Sequence, residues 1–420
     1  MNAPALILPE AAALMAAPQA IAPVGKGRLP ASWFDNDPWL LTCGVAIIAF
    51  GLVTMTSASV TIADRIYGDP LHFFWRQAVA LVIGTALGLW ALRTPLAAMA
   101  HASGMFLLLT VVVLGLVLVP GLGREVNGSL RWIGIGPASI QASEIAKPCI
   151  VIYLAAYLVR HGEQVRTQFI GFIKPIGLLT GIAGLLLIEP DYGAAVVLFA
   201  TCLGMLFMAG VPITRFVSWG LVAVAALAAL AMLAPYRLAR LMTFVDPWAD
   251  PYDSGFQLTQ ALIAFGRGEW FGVGLGASIQ KLFYLPEVQT DFVFAIIGEE
   301  LGLAGTVTVI ALFTFFVWRA FAIGGEALRS GRPFQAHVAN GVGLLIGLQA
   351  FINMGVNMGV LPTKGLTLPF ISYGSNSLMV SCFALGLLLR VAHEARQPTR
   401  ARVLAASLSV ARTDAGRSGS

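Results

Sequence analysis

Apolar stretches about twenty residues long recur along this chain, each followed by a short polar segment. They fall near residues 39–58, 73–92, 103–120, 142–159, 168–188, 192–210, 216–234, 291–318, 337–360 and 372–391. Coiled into a helix, such a stretch crosses a hydrocarbon core of about 30 Å. Composition agrees with the pattern: 58% of the 420 residues are hydrophobic and only 11% are charged, against roughly a quarter charged in a soluble protein. Mean hydropathy is +0.82. The expectation is an all-α polytopic membrane protein with about ten transmembrane helices.

The segments between the apolar runs set an orientation. With the N-terminus inside, Lys26, Arg28, Arg93, Arg160, Arg166, Arg215, Arg319, Arg329 and Arg332 fall in cytoplasmic segments, as do Arg390 and the arginines after it. The short outer connections then hold only Arg65, Arg124, Arg131 and Lys364. That asymmetry predicts both termini cytoplasmic. Residues 1–37 read as a mobile Ala/Pro-rich tail rather than a signal peptide, because no basic n-region is present and Pro4, Pro9, Glu10 and Pro18 interrupt any apolar core. Residues 38–392 form the membrane domain, and 393–420 a basic tail. The net charge of +5 is explained by these flanking signals, with no nucleic-acid partner expected. Cys43, Cys149, Cys202 and Cys382 lie inside apolar segments without metal-ligand spacing and read as small buried hydrophobes.

Two connections are longer than turns. Residues 121–141 read as a Gly-rich polar loop, and 235–290 as an outer segment between the seventh and eighth spans. A loop of the second size is functional or carries short helices of its own. Within it, Arg237, Arg240, Arg267 and Lys281 accompany the string GRGEWFGVGLGAS. Cations with glycines that expose backbone N–H groups suit a phosphate or pyrophosphate, although a flexible loop explains the glycines equally well.

Ionisable groups at membrane depth are costly and mark functional sites by default. Here they are Glu144, Lys147, Glu189, Asp191, Asp291, Glu299, Glu300 and Lys364. Glu144 and Lys147 stand at i,i+3 and can pair locally. Asp291 opens the run DFVFAIIGEELG, and as a helical position it would lie about 12 Å above Glu299, on another face. Glu299 and Glu300 are therefore expected to pair within the bundle while Asp291 meets an external substrate, an N-terminal helix cap being its alternative role. Residues 361–377, LPTKGLTLPFISYGSNS, break helices at membrane depth, which requires burial in protein or a hydrated cavity.

The strings RWIGIGPASIQASEIAK (131–147), EPDYG (189–193), LPEVQTDFVFAIIGEELG (285–302) and LPTKGLTLPFISYG (361–374) together resemble the SEDS family (shape, elongation, division and sporulation), which includes FtsW and RodA. PTKGLTLP is most similar to the FtsW branch. Ala142 stands where the family has Pro, Glu189 where it has Gln, and Ser375–Asn376 where it has Gly–Ser.

The resemblance implies a peptidoglycan glycosyltransferase that polymerises lipid II into β-1,4-linked glycan on the outer face of the inner membrane, at the division septum. Its partners would be a class B penicillin-binding transpeptidase and other divisome proteins. On the matching motifs Asp291 is the implied catalytic acid. Lys364, Glu144 and Lys147 are implied substrate-binding residues, joined as candidates by Arg237, Arg240, Lys281, Gln257, Glu287 and Ser372. A divalent cation, Mg or Mn, with Asp291 as a candidate ligand, stays open as a cofactor. A lipid II flippase and a non-catalytic divisome scaffold are the alternative functions.

Overall fold

A computed structural model describes residues 37–126, 129–135, 138–232, 244, 246–250, 255–282, 284–362 and 365–397. Every apolar run predicted above coincides with a helix. Labelled in chain order these are α1 (Pro38–Tyr67), α2 (His72–Arg93), α4 (Ser103–Val117), α5 (Ala142–Thr167), α6 (Phe169–Ile188), α7 (Tyr192–Met208), α8 (Ile213–Met232), α10 (Val293–Arg329), α11 (Pro333–Asn357) and α12 (Ser375–Arg396). Short α3 (Leu96–His101) precedes α4, and α9 (Phe256–Gly268) lies within the long connection. Among the described residues, seven helices are long and apolar enough to cross a membrane. Ser103–Val117, Tyr192–Met208 and the stretch Ile213–Val222 of α8 are shorter apolar segments.

The helices bury an apolar core in which α5, α11 and α12 are the most enclosed of the long spans. All four cysteines are buried and free. Small residues set the closest approaches: a Cβ on Gly51 of α1 would press on the main chain at Phe370 and Ile371. Without a hydrophobic drive between helices in lipid, such close packing is what holds them together.

Three features differ from the sequence reading. Residues 121–141 are not a loop but a three-stranded antiparallel sheet, β1 (Gly123–Val126), β2 (Ser129–Ile135) and β3 (Ala138–Gln141), ordered β1-β2-β3. The Asn127–Gly128 dipeptide, two residues between alternating strands, is the hairpin signal that composition alone obscured. Asp37, assigned to the tail, is fully buried; its carboxylate accepts from Leu40 N at 3.0 Å to cap α1 and pairs with Arg319 and Arg396. Finally, α10 is two helices: Gly302, at φ 65° and ψ −158°, breaks it.

That break accounts for the glycine string. At Gly302 the carbonyls of Glu299 and Glu300 and the N–H groups of Leu303 and Ala304 lose their helical partners. Residues 269–274 supply all four: Leu303 N donates to Glu269 O at 2.8 Å, Ala304 N to Trp270 O at 3.0 Å, and Val273 N and Gly274 N donate to Glu299 O and Glu300 O, each at 3.0 Å. A Cβ on Gly272 would collide with the Glu300 carbonyl, and one on Gly302 with Gly272 N. The N–H groups of Val273 and Gly274 are thus spent on the broken helix, not offered to a phosphate. The physical reason is that orphaned backbone groups inside a membrane protein must be satisfied by protein.

Candidate active site

Asp291 stands in the turn before α10, whose N-cap is Phe292 without any side-chain cap. It therefore precedes the helix, where the sequence reading took it as a helical position. The turn is built by Glu287, an exposed residue at φ 55°. Its carbonyl accepts from the N–H groups of Thr290, Asp291 and Phe292 at 3.2, 3.1 and 3.3 Å. Its carboxylate is held by Thr290 Oγ1 at 2.8 Å. Glu287, a substrate-binding candidate by sequence, thus also shapes the approach to Asp291.

The last connection lies against this turn. Tyr373 N donates to Gln289 O at 2.7 Å, and a Cβ on Gly365 would stand 3.1 Å from Asp291 Oδ2. Leu366, Leu368, Phe370 and Ile371 are buried although the segment is not helical. Ser372, another candidate, uses its hydroxyl to accept from Leu368 N at 2.8 Å, and its carbonyl accepts from Gln77 Nε2 at 3.1 Å. It closes the 368–372 turn. Lys364, Arg237 and Arg240 lie outside the described residues, and Gln257 is half-buried on α9.

Glu144 and Lys147 sit on the first turns of α5, both buried. Lys147 Nζ pairs with Glu144 Oε1 at 2.8 Å and donates to Gln349 Oε1 at 2.7 Å. The local pair foreseen from i,i+3 spacing is present, with an amide from α11 added. Ser143 beside them donates to Asp191 Oδ2 at 2.7 Å, and Asp191 Oδ1 caps α7 through Ala194 N at 3.3 Å. Asn376, a departure from the family pattern, donates to Ser139 O of β3 at 3.0 Å and so ties α12 to the sheet.

Sequence reasoning missed three residues here. Gln349, Asn353 and Asn357 recur at every fourth position of α11 and are 3%, 2% and 0% exposed. Gln349 Nε2 donates to Thr367 O at 3.0 Å, and Asn353 and Asn357 each donate through Nδ2 to Asp291 O at 2.9 Å. Three amides at i, i+4 and i+8 in an apolar span were legible in LQAFINMGVN, but amides carry no charge and drew no notice.

Lys281 belongs elsewhere. Its ammonium pairs with Glu300 at 2.9 Å, and Glu300 Oε1 accepts from Ser57 Oγ at 2.8 Å. Ser57 and Lys281 border a cavity of about 370 Å³ between α1 and residues 276–282. Glu299 pairs with Arg267 at 2.9 Å and accepts from Ile279 N at 3.1 Å and Gln280 N at 3.3 Å. Both acids pair within the bundle, as expected. Lys281, expected to meet an anionic leaving group, has its charge engaged by Glu300. Among the described residues no three His, Cys, Asp or Glu side chains gather to hold a metal ion.

A probable peptidoglycan glycosyltransferase FtsW of Nitrosococcus halophilus is 55% identical over 368 residues, covering 87% of this chain and 94% of the relative. That of Coxiella burnetii is 48% identical over 363 residues, 86% and 97% of the two chains. A chain from a structure on the coordination of polymerization and crosslinking by a peptidoglycan synthase complex superposes with a TM-score of 0.71 at 29% identity, covering 87% of this chain and all (100%) of that one. The rod shape determining protein RodA of Thermus thermophilus gives 0.64 at 28% identity, over 87% and 99%. The family model described as cell cycle protein, FtsW/RodA/SpoVE, matches residues 38–397, from the first residue of α1 to just past the end of α12, and the chain belongs to that family.

Proposed function

We propose that this chain is a peptidoglycan glycosyltransferase that polymerises lipid II, with Asp291 as general base. What carries the reading is the hold on Asp291: two buried amides fix its main-chain carbonyl, and its carboxylate abuts Gly365 of the last connection. The relatives' shared name, peptidoglycan glycosyltransferase FtsW, supports the same activity.

In the proposed step the 4-hydroxyl of the acceptor's terminal sugar attacks the anomeric carbon of the donor glycan. The new C–O bond forms with inversion, the bond from that carbon to the pyrophosphate oxygen breaks, and polyprenyl pyrophosphate leaves with the electron pair. Asp291 takes the hydroxyl proton, because a sugar hydroxyl is a poor nucleophile at neutral pH without a positioned base. The pyrophosphate gathers negative charge, which preorganised cations offset. Lys364, one residue from Gly365, is the first candidate, with Arg237 and Arg240 beside it in the proposal. The apolar spans would hold the polyprenyl tails. The proposed setting is the inner membrane at the septum, both termini inside and the active face outside, in complex with a class B transpeptidase.

The test is polymerisation of purified lipid II by the full chain with its transpeptidase. Asp291→Asn keeps the shape and removes the base, so polymer should vanish while the variant folds. Near-parental polymer length and rate from Asp291→Asn would overturn the assignment. Detergent solution has no second membrane face, so polymer formed there also separates this reading from a flippase.

A further inference from the structure

We infer that Gln349, Asn353 and Asn357 form a ladder of positioning residues that aims Asp291 and ties it to Lys147. The inference rests on Asp291 being the base. An apolar helix gains nothing by burying three amides unless they are hydrogen-bonded; here each bonds to a segment of the candidate site, and of their polar atoms Asn353 Oδ1 alone has no partner among the described residues.

Asn357 shows how the aiming works. In an uninterrupted helix the Asp291 carbonyl would accept from the N–H of Ala295, four residues on. Instead Ala295 N donates both to Phe292 O at 3.0 Å and to Asn357 Oδ1 at 3.1 Å, while Asn357 Nδ2 donates to Asp291 O at 2.9 Å. The side-chain amide is inserted into the first rung of α10. It gives the Asp291 carbonyl a donor in place of the helical one and holds Asp291 ahead of the helix, its carboxylate beside Gly365. Asn353, one turn back, donates to the same carbonyl at 2.9 Å and also to the Leu366 carbonyl, so the base and the last connection share one anchor.

Gln349 extends the ladder. Its oxygen accepts from Lys147 at 2.7 Å and its nitrogen donates to Thr367 O at 3.0 Å. From Gln349 to Asn357 the helix rises about 12 Å, so one rigid face of α11 holds both the Glu144–Lys147 pair and Asp291 in register.

Steady-state polymerisation of lipid II by the full chain with its transpeptidase tests this. For Asn357→Leu and Gln349→Met, kcat should fall about 10- to 100-fold, the scale of a misplaced catalytic group. KM for lipid II should stay within about threefold, and thermal unfolding should remain cooperative. A merely structural lesion would lower the amount of folded enzyme without this split. If Asn357→Leu does not fold, the Gln349 variants decide: Gln349→Glu keeps an acceptor for Lys147 and should retain about tenfold more kcat than Gln349→Met. Parental kcat in the folded variants, KM rising at constant kcat, or equal rates for Gln349→Glu and Gln349→Met would each overturn the ladder. If Asp291→Asn is itself active, the base reading fails; if Asp291→Asn is inactive while Asn357→Leu keeps its kcat, only the ladder fails.

Discussion

Lys281 and Glu300 form an ion pair at 2.9 Å with side chains only 7% and 2% exposed. Removing one member strands the other charge away from water, a loss of about 3–5 kcal/mol. Lys281→Met should therefore lower the melting temperature in detergent by many degrees, and adding Glu300→Gln should recover much of it. Equal melting temperatures for the single and double variants would show that the pair is hydrated rather than buried.

The break at Gly302 depends on a backbone conformation that side chains rarely adopt. Gly302→Ala should cost about 1–3 kcal/mol from the backbone alone, with the clash against Gly272 added. Hydrogen exchange is the direct reading: the amides of Val273 and Gly274 should lose protection, because their acceptors are the carbonyls beside the break. Unchanged protection in a folded variant would contradict the stapling of residues 269–274 to α10.

Glu189 stands in the turn between α6 and α7, fully buried, and neither carboxylate oxygen has a hydrogen-bond partner among the described residues. Burial first, then the charge of Asp191, push its carboxyl from 4.5 up to about 8, against the opposing pull of Arg131. The folded chain then keeps a proton that the unfolded chain releases. The stability tied to that proton is complete below the unfolded value and is lost as pH rises through the folded one. Glu189→Gln is neutral at every pH, so its advantage in melting temperature over the parent should grow between about pH 5 and about pH 8 and then level off. An advantage independent of pH would mean that Glu189 titrates normally.

Lys364→Met should raise the concentration of lipid-linked donor needed for half-maximal polymerisation without lowering the melting temperature. The measurement is polymer yield across a lipid II titration with the transpeptidase present. Unchanged kinetics from well-folded protein would remove Lys364 from the proposed pyrophosphate contacts.

Much of this protein is legible in one dimension. Hydrophobic runs locate the helices because a backbone in lipid has little choice but to coil. The acids at 299 and 300 were assigned to internal pairing because a charge at that depth needs a partner, and Arg267 and Lys281 supply one each. Asp291 was singled out for its place at the head of a span.

What the sequence could not decide was which groups meet across the fold. The sheet at 123–141 depends on pairing between strands. The glycines of 268–276 suit a phosphate or a flexible loop equally well in sequence, until the break in α10 claims the N–H groups of Val273 and Gly274. Gln349, Asn353 and Asn357 carry no charge to mark them in sequence, yet tertiary packing sets them against Asp291, Lys147 and the last connection. The reason is physical: burial and helical period are properties of neighbours along the chain. Satisfying a buried amide or a broken helix takes partners that here lie as far as 202 residues away, and only the folded structure brings them within hydrogen-bonding distance.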